Sequence, residues 1–457
     1  MKTLVISDVH LGNASGLDIY AGGGELAALL DAHHEPPVRV IFNGDTVDFL
    51  MNGDPLELTV ERAVRQAEAI VASPDAAATF AALGRLLSAG GECIVRLGNH
   101  DIELALPEVQ AVFRAALQAD DVASRMQFVF GDAPMVVSYG GAQVLITHGD
   151  HCDPWNTVDY ERLPSADGSA PRTSGRFAYP AGSRLVKTIL NPLKTEHRLR
   201  FSDLLKPDFQ GAVLTALAVE PAAVKEVFGM GTSRIMWQLF KDMRGGFAFD
   251  EGVEEQEDLG LGDLLEEIDL SPKERGLLKA VVDPNRMSFG VGGPELPLAT
   301  RRKLIRKGLE MYARWHRTAA GDTGSKYFSL QPAPDELGEA RRLAGKFGAD
   351  VVLMGHTHAA RWAEEQDVLY ANTGTWIWLM RLPAPDASDE DWANYLEELD
   401  RNPTLEENAQ VHARTERLLT VVTLEPALTG GVYVGMGEWV PGEGLTVLRE
   451  ARVQPGR

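Results

Sequence analysis

The chain is 457 residues long, 44% hydrophobic and 24% charged, with a formal net charge of −22. That length exceeds a usual single domain and asks for a core with one large insertion, or for two domains. The acidic balance argues against sequence-independent nucleic-acid binding, which rests on Lys and Arg at phosphates. The two cysteines, Cys93 and Cys152, leave no disulfide framework and no Cys-based zinc site.

The first apolar run, Thr3 to Ile6, is too short for a signal-peptide core, and Asp8 interrupts it at once. No run approaches the roughly 20 apolar residues of a membrane span, so a cytoplasmic location is expected. Strands are predicted at Thr3–Val5, Val38–Phe42, Cys93–Arg96, Val144–Ile146 and Val351–Met354, each short, rich in Val and Ile, and bounded by Gly or Asp. Between the first four lie stretches of helical periodicity: Glu25–His33, Leu58–Val71, Ala76–Leu87 and Glu108–Leu117, the last opened by Pro107. The alternation predicts an α/β sheet covered by helices.

From Trp155 the pattern changes until a predicted helix, Asp335–Phe347, is stopped by Gly348 and leads into Val351. Three parts are therefore expected: a core segment at 1–154, a mostly helical insertion or cap at 155–334, and a second core segment at 335–457. Within the insertion, the segment 172–206 is basic and interleaved with apolar residues, whereas Asp250–Asp269 has no Lys or Arg. The two are expected to pair as parts of a cap; contact of 172–206 with anionic lipid is the other reading. Short runs at Val368–Tyr370, Leu418–Leu424 and Gly431–Val434 suggest an antiparallel closing part of the sheet. Asp386–Glu407 reads as an acidic surface helix or loop.

Each of the five strands stops at a cluster of Asp, Asn or His. In order these are Asp8-Val9-His10, Asn43-Gly44-Asp45-Thr46-Val47-Asp48, Gly98-Asn99-His100-Asp101, Thr147-His148-Gly149-Asp150 and Gly355-His356-Thr357-His358. In open α/β sheets ligands bind beyond the carboxyl ends of the strands, so five such ends point to one site. Mixed oxygen and imidazole donors suit divalent Mn, Fe, Zn, Co or Ni better than Ca or Mg. Asp101 has two readings, a cap for a following helix or a chemical role. His33, His34, His197, His316 and His412 have no motif context and read as surface or packing residues.

In this order, the five motifs resemble the signature of the calcineurin-like metallophosphoesterase superfamily, over residues 1 to about 154 and about 335 to 380. The resemblance implies a four-layer α/β/β/α sandwich with a large, mostly helical insertion. It also implies two divalent ions, Mn²⁺ first among Mn, Fe, Zn, Co and Ni. Asp8, His10 and His358 would hold the first ion, Asn99, His148 and His356 the second, and Asp45 would bridge them. His100 would be the catalytic histidine and Asp48 its orienting carboxylate. Two ions about 3.5–4 Å apart can share a hydroxide nucleophile and clamp a phosphoryl group during in-line displacement.

A finer resemblance links Ser7–Gly12, His148–Asp153, Asp159–Arg162 and Asn372–Trp376 to the bacterial UDP-2,3-diacylglucosamine pyrophosphatase branch. That enzyme has Arg where this chain has His100, and it lacks an insertion of this size. Hydrolysis of a phosphodiester or phosphomonoester is therefore the first expectation. The alternatives are a pyrophosphatase for a nucleotide-sugar or lipid-linked diphosphate, a nuclease, and a catalytically silent scaffold. A nuclease would need a positive track, for which only 172–206 and Arg301–Lys307 offer candidates.

Overall fold

The computed structural model describes residues 1–34, 37–131, 133–153, 156–164, 177–196, 329–380, 387–401 and 415–456, with a few isolated positions besides. Two compact units are present. The first comprises Met1–Lys187, Lys326–Met380 and Thr415–Arg457, and the second Thr188–Ser325 with Arg381–Arg414. Most of the expected insertion, including all of Asp250–Asp269 and both ends of 172–206, lies outside the described residues.

In the first unit, β1 (Thr3–Ile6), β2 (Arg39–Asn43), β3 (Glu92–Arg96) and β4 (Met126–Val129) pair in parallel. Helices α1 (Glu25–Ala32), α2 (Val60–Ala72), α3 (Pro74–Ser88) and α4 (Pro107–Ala116) connect them. Pro at the first turn of α3 and α4 fits, because its missing N–H would have no partner there. A second sheet holds β5 (Met135–Tyr139), β6 (Ala142–Ile146), β7 (Val351–Met354), β8 (Ala360–Glu364) and β9 (Leu369–Thr373) in the order β5-β6-β7-β9-β8. Its three central strands are parallel and its two edges antiparallel. The short helix α5 (Ala181–Leu185) follows β6, and past Lys187 the chain enters the second unit as α6 (Asn191–Glu196). The helix α7 (Pro334–Phe347) precedes β7 and ends on Gly348 in the left-handed conformation, φ 64°.

The ribbon β10 (Leu379–Met380) with β11 (Thr415–Glu416) is minor. The chain then returns to the first sheet as β12 (Thr420–Pro426), β13 (Val432–Val440) and β14 (Gly444–Val453). This return is antiparallel, β12 lying against β1, which gives the seven-stranded order β14-β13-β12-β1-β2-β3-β4. The expected closing antiparallel part is thus present, and β14 extends it.

Period-two alternation builds the layers. Leu4, Ile6, Val40, Phe42, Cys93 and Val95 face α1–α4. Val5 and Ile41 face inward against Val144, Ile146, Val351 and Leu353 of the second sheet. Leu145, Val352 and Met354 face outward onto Ala340, Leu343 and Ala344 of α7. The result is a four-layer α/β/β/α sandwich. Cys93 is a buried small hydrophobe whose thiol burial pushes up to about 12.

In the second unit, α8 (Asp389–Arg401) occupies the acidic stretch read as surface. Its first turn is exposed, but Trp392 and Tyr395 are fully buried, so α8 is an amphipathic helix with one packed face.

Candidate metal centre

The five motif loops leave the carboxyl ends of β1, β2, β3, β6 and β7, and backbone bonds lock them side by side. The N–H groups of Asp8 and His10 donate to the carbonyls of Gly44 (3.1 Å) and Asp45 (2.9 Å). Asn43 Nδ2 donates to the Thr147 carbonyl at 2.8 Å, which ties the second motif to the fourth across the two sheets. Five metal-type side chains sit on left-handed backbone: Asp8 (φ 52°), His10 (56°), Asp45 (52°), His356 (68°) and His358 (58°). Such conformations cost of order 1–3 kcal/mol each in non-glycine residues and cluster at functional sites.

All nine residues singled out in the sequence converge, and all are buried except the half-buried His356. Asp8, His10, Asp45 and His358 form one group of mutually close donor atoms, and Asp45, His148 and His356 form another, so Asp45 belongs to both. Asp45 Oδ1 accepts from the His100 N–H (2.8 Å), while Oδ2 lies 3.4 Å from His148 Nε2 and 3.9 Å from His10 Nε2. Asp8 Oδ1 is 3.3 Å from His358 Nε2. Asn99 brings Oδ1 to 3.3 Å from His148 Nε2.

Whether these donors suit a cation follows from their lone pairs. His10 gives its Nδ1–H to Asp48 Oδ2 at 2.9 Å, so its Nε2 turns a lone pair toward His358 Nε2, 3.2 Å away. His148 gives its Nδ1–H to the Asn43 carbonyl at 2.9 Å, so its Nε2 faces two oxygens, of Asn99 and Asp45. Each place is closed by a proton when the site is metal-free, and a divalent cation can take that proton's position between the same atoms. The donor set fits divalent metal.

Charges reflect the same crowding. Burial works against the carboxylates of Asp8 and Asp45. Their histidine neighbours outweigh it and hold Asp8 below, and Asp45 well below, the usual range. Burial likewise opposes charge on His148, but Asp45, Asp8 and Asp150 push it up to about 10. At His358 burial wins, lowering the ring to about 4 and leaving it neutral.

Asp48 does more than the sequence reading gave it. Oδ2 accepts from both His10 (2.9 Å) and His100 (3.2 Å), while Oδ1 accepts from the N–H groups of Leu50 and Met51. Asp101 makes no side-chain cap. Its carboxyl accepts from the N–H groups of Thr46 (2.7 Å) and Gly98 (2.6 Å) and braces the second motif against the third. Burial, with Asp45 adding, pushes it up to about 8.

Several contributors were given no role by the sequence, although Ser7, Asp153, Asn372 and Thr375 lie in stretches that carry the finer resemblance. Asp153 Oδ2 lies 3.1 Å from His356 Nε2 and accepts from Asn156 Nδ2. Asn372 donates to the Gly355 carbonyl, Thr375 to the Asp8 carbonyl, and Ser7 to the Asp8 carboxylate. These hold the first and fifth loops together. Ser183 of α5 donates to the Asn99 carbonyl, Tyr179 to buried Glu103, and Lys187 to Asn52.

Among the described residues no single helix is long and apolar enough to cross a membrane. No curated protein matches the chain. Residues 1–181 match the family model described as calcineurin-like phosphoesterase, a span that carries the first four motif loops and α5. With the fifth loop supplied by β7, the fold and its convergent Asp and His side chains agree with that match to the calcineurin-like phosphoesterase family, the metal-dependent hydrolases of phosphoesters.

Proposed function

We propose that the chain hydrolyses a phosphodiester or phosphomonoester with two divalent cations, Mn²⁺ in first place. Asp8, His10 and His358 would hold one cation, and Asn99, His148 and His356 the other, with Asp45 between them. The observation that carries this reading is the convergence of donor atoms in a buried site, with Nε2 of His10 and His358 3.2 Å apart and His148 Nε2 3.3 Å from Asn99 Oδ1. When bound, the cations supply a Lewis-acid pair that activates water and neutralises phosphoryl charge.

The chain's own residues orient and protonate. Asp48 takes the Nδ1–H of His100 and leaves Nε2 for the leaving-group oxygen. Burial opposes charge on His100, yet Asp48 and Asp45 push it up to about 9. Two nearby dications would draw it back toward neutrality, where an imidazolium both persists and gives up its proton readily. The bonds from Asp101 to Gly98 and Thr46 hold the His100 loop against the Asp45 loop, so donor and metal ligands keep one geometry.

The test is turnover by metal-stripped protein reloaded with Mn²⁺, in parallel on p-nitrophenyl phosphate, bis-p-nitrophenyl phosphate and a nucleotide-sugar diphosphate. Activity that appears only with metal is the expected result, and the preferred substrate separates monoesterase, diesterase and pyrophosphatase. Protein that binds two ions and turns over none of the three refutes the proposal.

A further inference from the structure

Among the described residues, one cluster of metal-type donors stands outside the catalytic loops, just past the fourth motif. His151 and Cys152 lie in the single 3-10 turn Asp150–Cys152, and Glu339 projects from α7. His151 Nε2 is 3.3 Å from Cys152 Sγ and 3.5 Å from Glu339 Oε1. The three donor atoms all fall within 4.8 Å of one another. His151 is 38% exposed and Glu339 12%, so an ion can reach them from solvent.

We propose that His151, Cys152 and Glu339 form a separate site for a zinc-type cation, with water as a fourth ligand, that clamps the loop after β6 to α7. Zinc bonds of about 2.3 Å to sulfur and about 2.0–2.1 Å to nitrogen or oxygen, at tetrahedral angles, place the donors roughly 3.3–3.6 Å apart. Both measured edges, 3.3 and 3.5 Å, lie in that range before any ion is bound. The mixed S/N/O set selects a borderline-soft ion over Mg²⁺ or Ca²⁺. Two cysteines in the whole chain exclude a Cys-rich site, which is the form a sequence scan looks for; one cysteine beside a histidine, completed by a carboxylate 187 positions away, has no spacing signature.

Two competitors must yield. Arg342 binds both oxygens of Glu339 at 2.6 Å, but it is 55% exposed and can turn into solvent, or keep one oxygen while the other takes the ion. The Cys152 thiol is held protonated by burial and by Glu339, so loading must release that proton. The site has a structural consequence for the catalytic loops. The fourth-motif turn carries Asp153, which contacts His356, and α7 feeds β7 and the fifth loop. A cation here would fix the ends of both.

Cobalt separates this site from the catalytic centre by spectroscopy. The oxygen and imidazole donors of the catalytic loops include no sulfur, and Cys93 is buried inside β3. Full-length, metal-stripped protein titrated with Co²⁺ should show a thiolate-to-cobalt charge-transfer band in the near ultraviolet. That band should saturate, collapse on addition of Zn²⁺, and vanish in Cys152→Ser. In His151→Ala and in Glu339→Gln its half-saturation should rise at least about tenfold. Zinc retained after dialysis should fall by about one ion per chain in Cys152→Ser, with the visible cobalt bands of the catalytic centre unchanged. A cobalt-saturated wild type with no such band overturns the proposal. So does a band that survives Cys152→Ser, or one indifferent to both His151→Ala and Glu339→Gln. None of these outcomes depends on phosphoester turnover.

Discussion

Replacing Asp48 by Asn should weaken metal binding and catalysis together, because one carboxylate oxygen serves two imidazoles with different duties. Oδ2 accepts from His10, a candidate metal ligand, and from His100, the candidate proton donor. Asn is isosteric, and its remaining oxygen can keep the N–H groups of Leu50 and Met51, so the loop should hold. What is lost is the charge and the accepting oxygen, because an amide N–H2 then faces the two rings. A hydrogen bond to a charged group contributes about 1.5–3 kcal/mol, and losing it behind a metal-ligating histidine should cost about 10–100-fold in metal affinity. At His100 the longer 3.2 Å contact sets the ring's tautomer, so turnover at saturating metal should also fall. The contrast is His100→Ala, which should leave metal affinity intact and cut turnover by about two to four orders of magnitude. The assay is a Mn²⁺ titration of turnover in stripped protein, which separates half-saturation from the plateau, beside direct measurement of bound metal. If Asp48→Asn lowers only the plateau, the bond to His10 plays no part in holding metal and the shared-carboxylate reasoning is wrong.

Other perturbations read out other parts of the structure. Gly44 has φ 91°, and a Cβ there would stand 2.2 Å from His148 Nδ1. Gly44→Ala should cost at least about 1–3 kcal/mol from backbone strain alone and displace His148, while Gly53→Ala, which meets nothing within 4 Å, serves as the neutral control; thermal melts and metal content check both. Metal-free His148 is pushed up to about 10, so at neutral pH an incoming ion must displace a proton. Loading should therefore release protons, and affinity should fall about tenfold for each unit of pH lost per proton displaced. Calorimetry in buffers of different ionisation enthalpy would detect this, and no proton release would remove His148 from the ligand set. Burial pushes Glu103 up to about 7 against an ordinary 4.5, with the Tyr179 hydroxyl opposing. Because the folded value is the higher one, this group's stability contribution is whole below pH 4.5 and declines as pH rises to about 7. The decline is of order 3 kcal/mol and is constant above that. Glu103→Gln should flatten that slope in urea melts at pH 5 and 7.5, and an unchanged slope would place the carboxyl in better solvent than its burial implies.

The chemistry of the site was legible because it sits on the shortest-range signal in the chain. A buried parallel strand is a run of Val and Ile, its end is fixed by Gly or Asp, and the donor follows within three residues. All five strands carrying motifs, and α1–α4 and α7, are therefore readable from periodicity alone. What escaped detection is of longer range. β5, β8 and β14 are edge or half-exposed strands with polar and charged positions, so their alternation is diluted. Asp386–Glu407 read as surface because nine of its residues are acidic; the buried Trp392 and Tyr395 reveal a packed face only once a partner surface exists.

The same distinction explains why the supporting residues of the site are less legible than its donors. Asp8, His10, Asp45, His356 and His358 all take left-handed backbone, which Asp and His adopt more readily than most residues but still at a cost that support must offset. Among the bonds that support it are Thr375 Oγ1 to the Asp8 carbonyl, 367 residues apart, and Asn372 to the carbonyl of Gly355, just before His356. Local sequence can specify a donor, because donor chemistry is a property of the side chain. It cannot specify which distant hydroxyl will hold that donor's backbone, because such a contact exists only after both sheets have formed. Asp48 shows both sides of this. Its place three residues beyond Asp45 marks it as a partner for an imidazole, while the fact that it has two imidazoles to serve depends on how β1 and β3 flank β2.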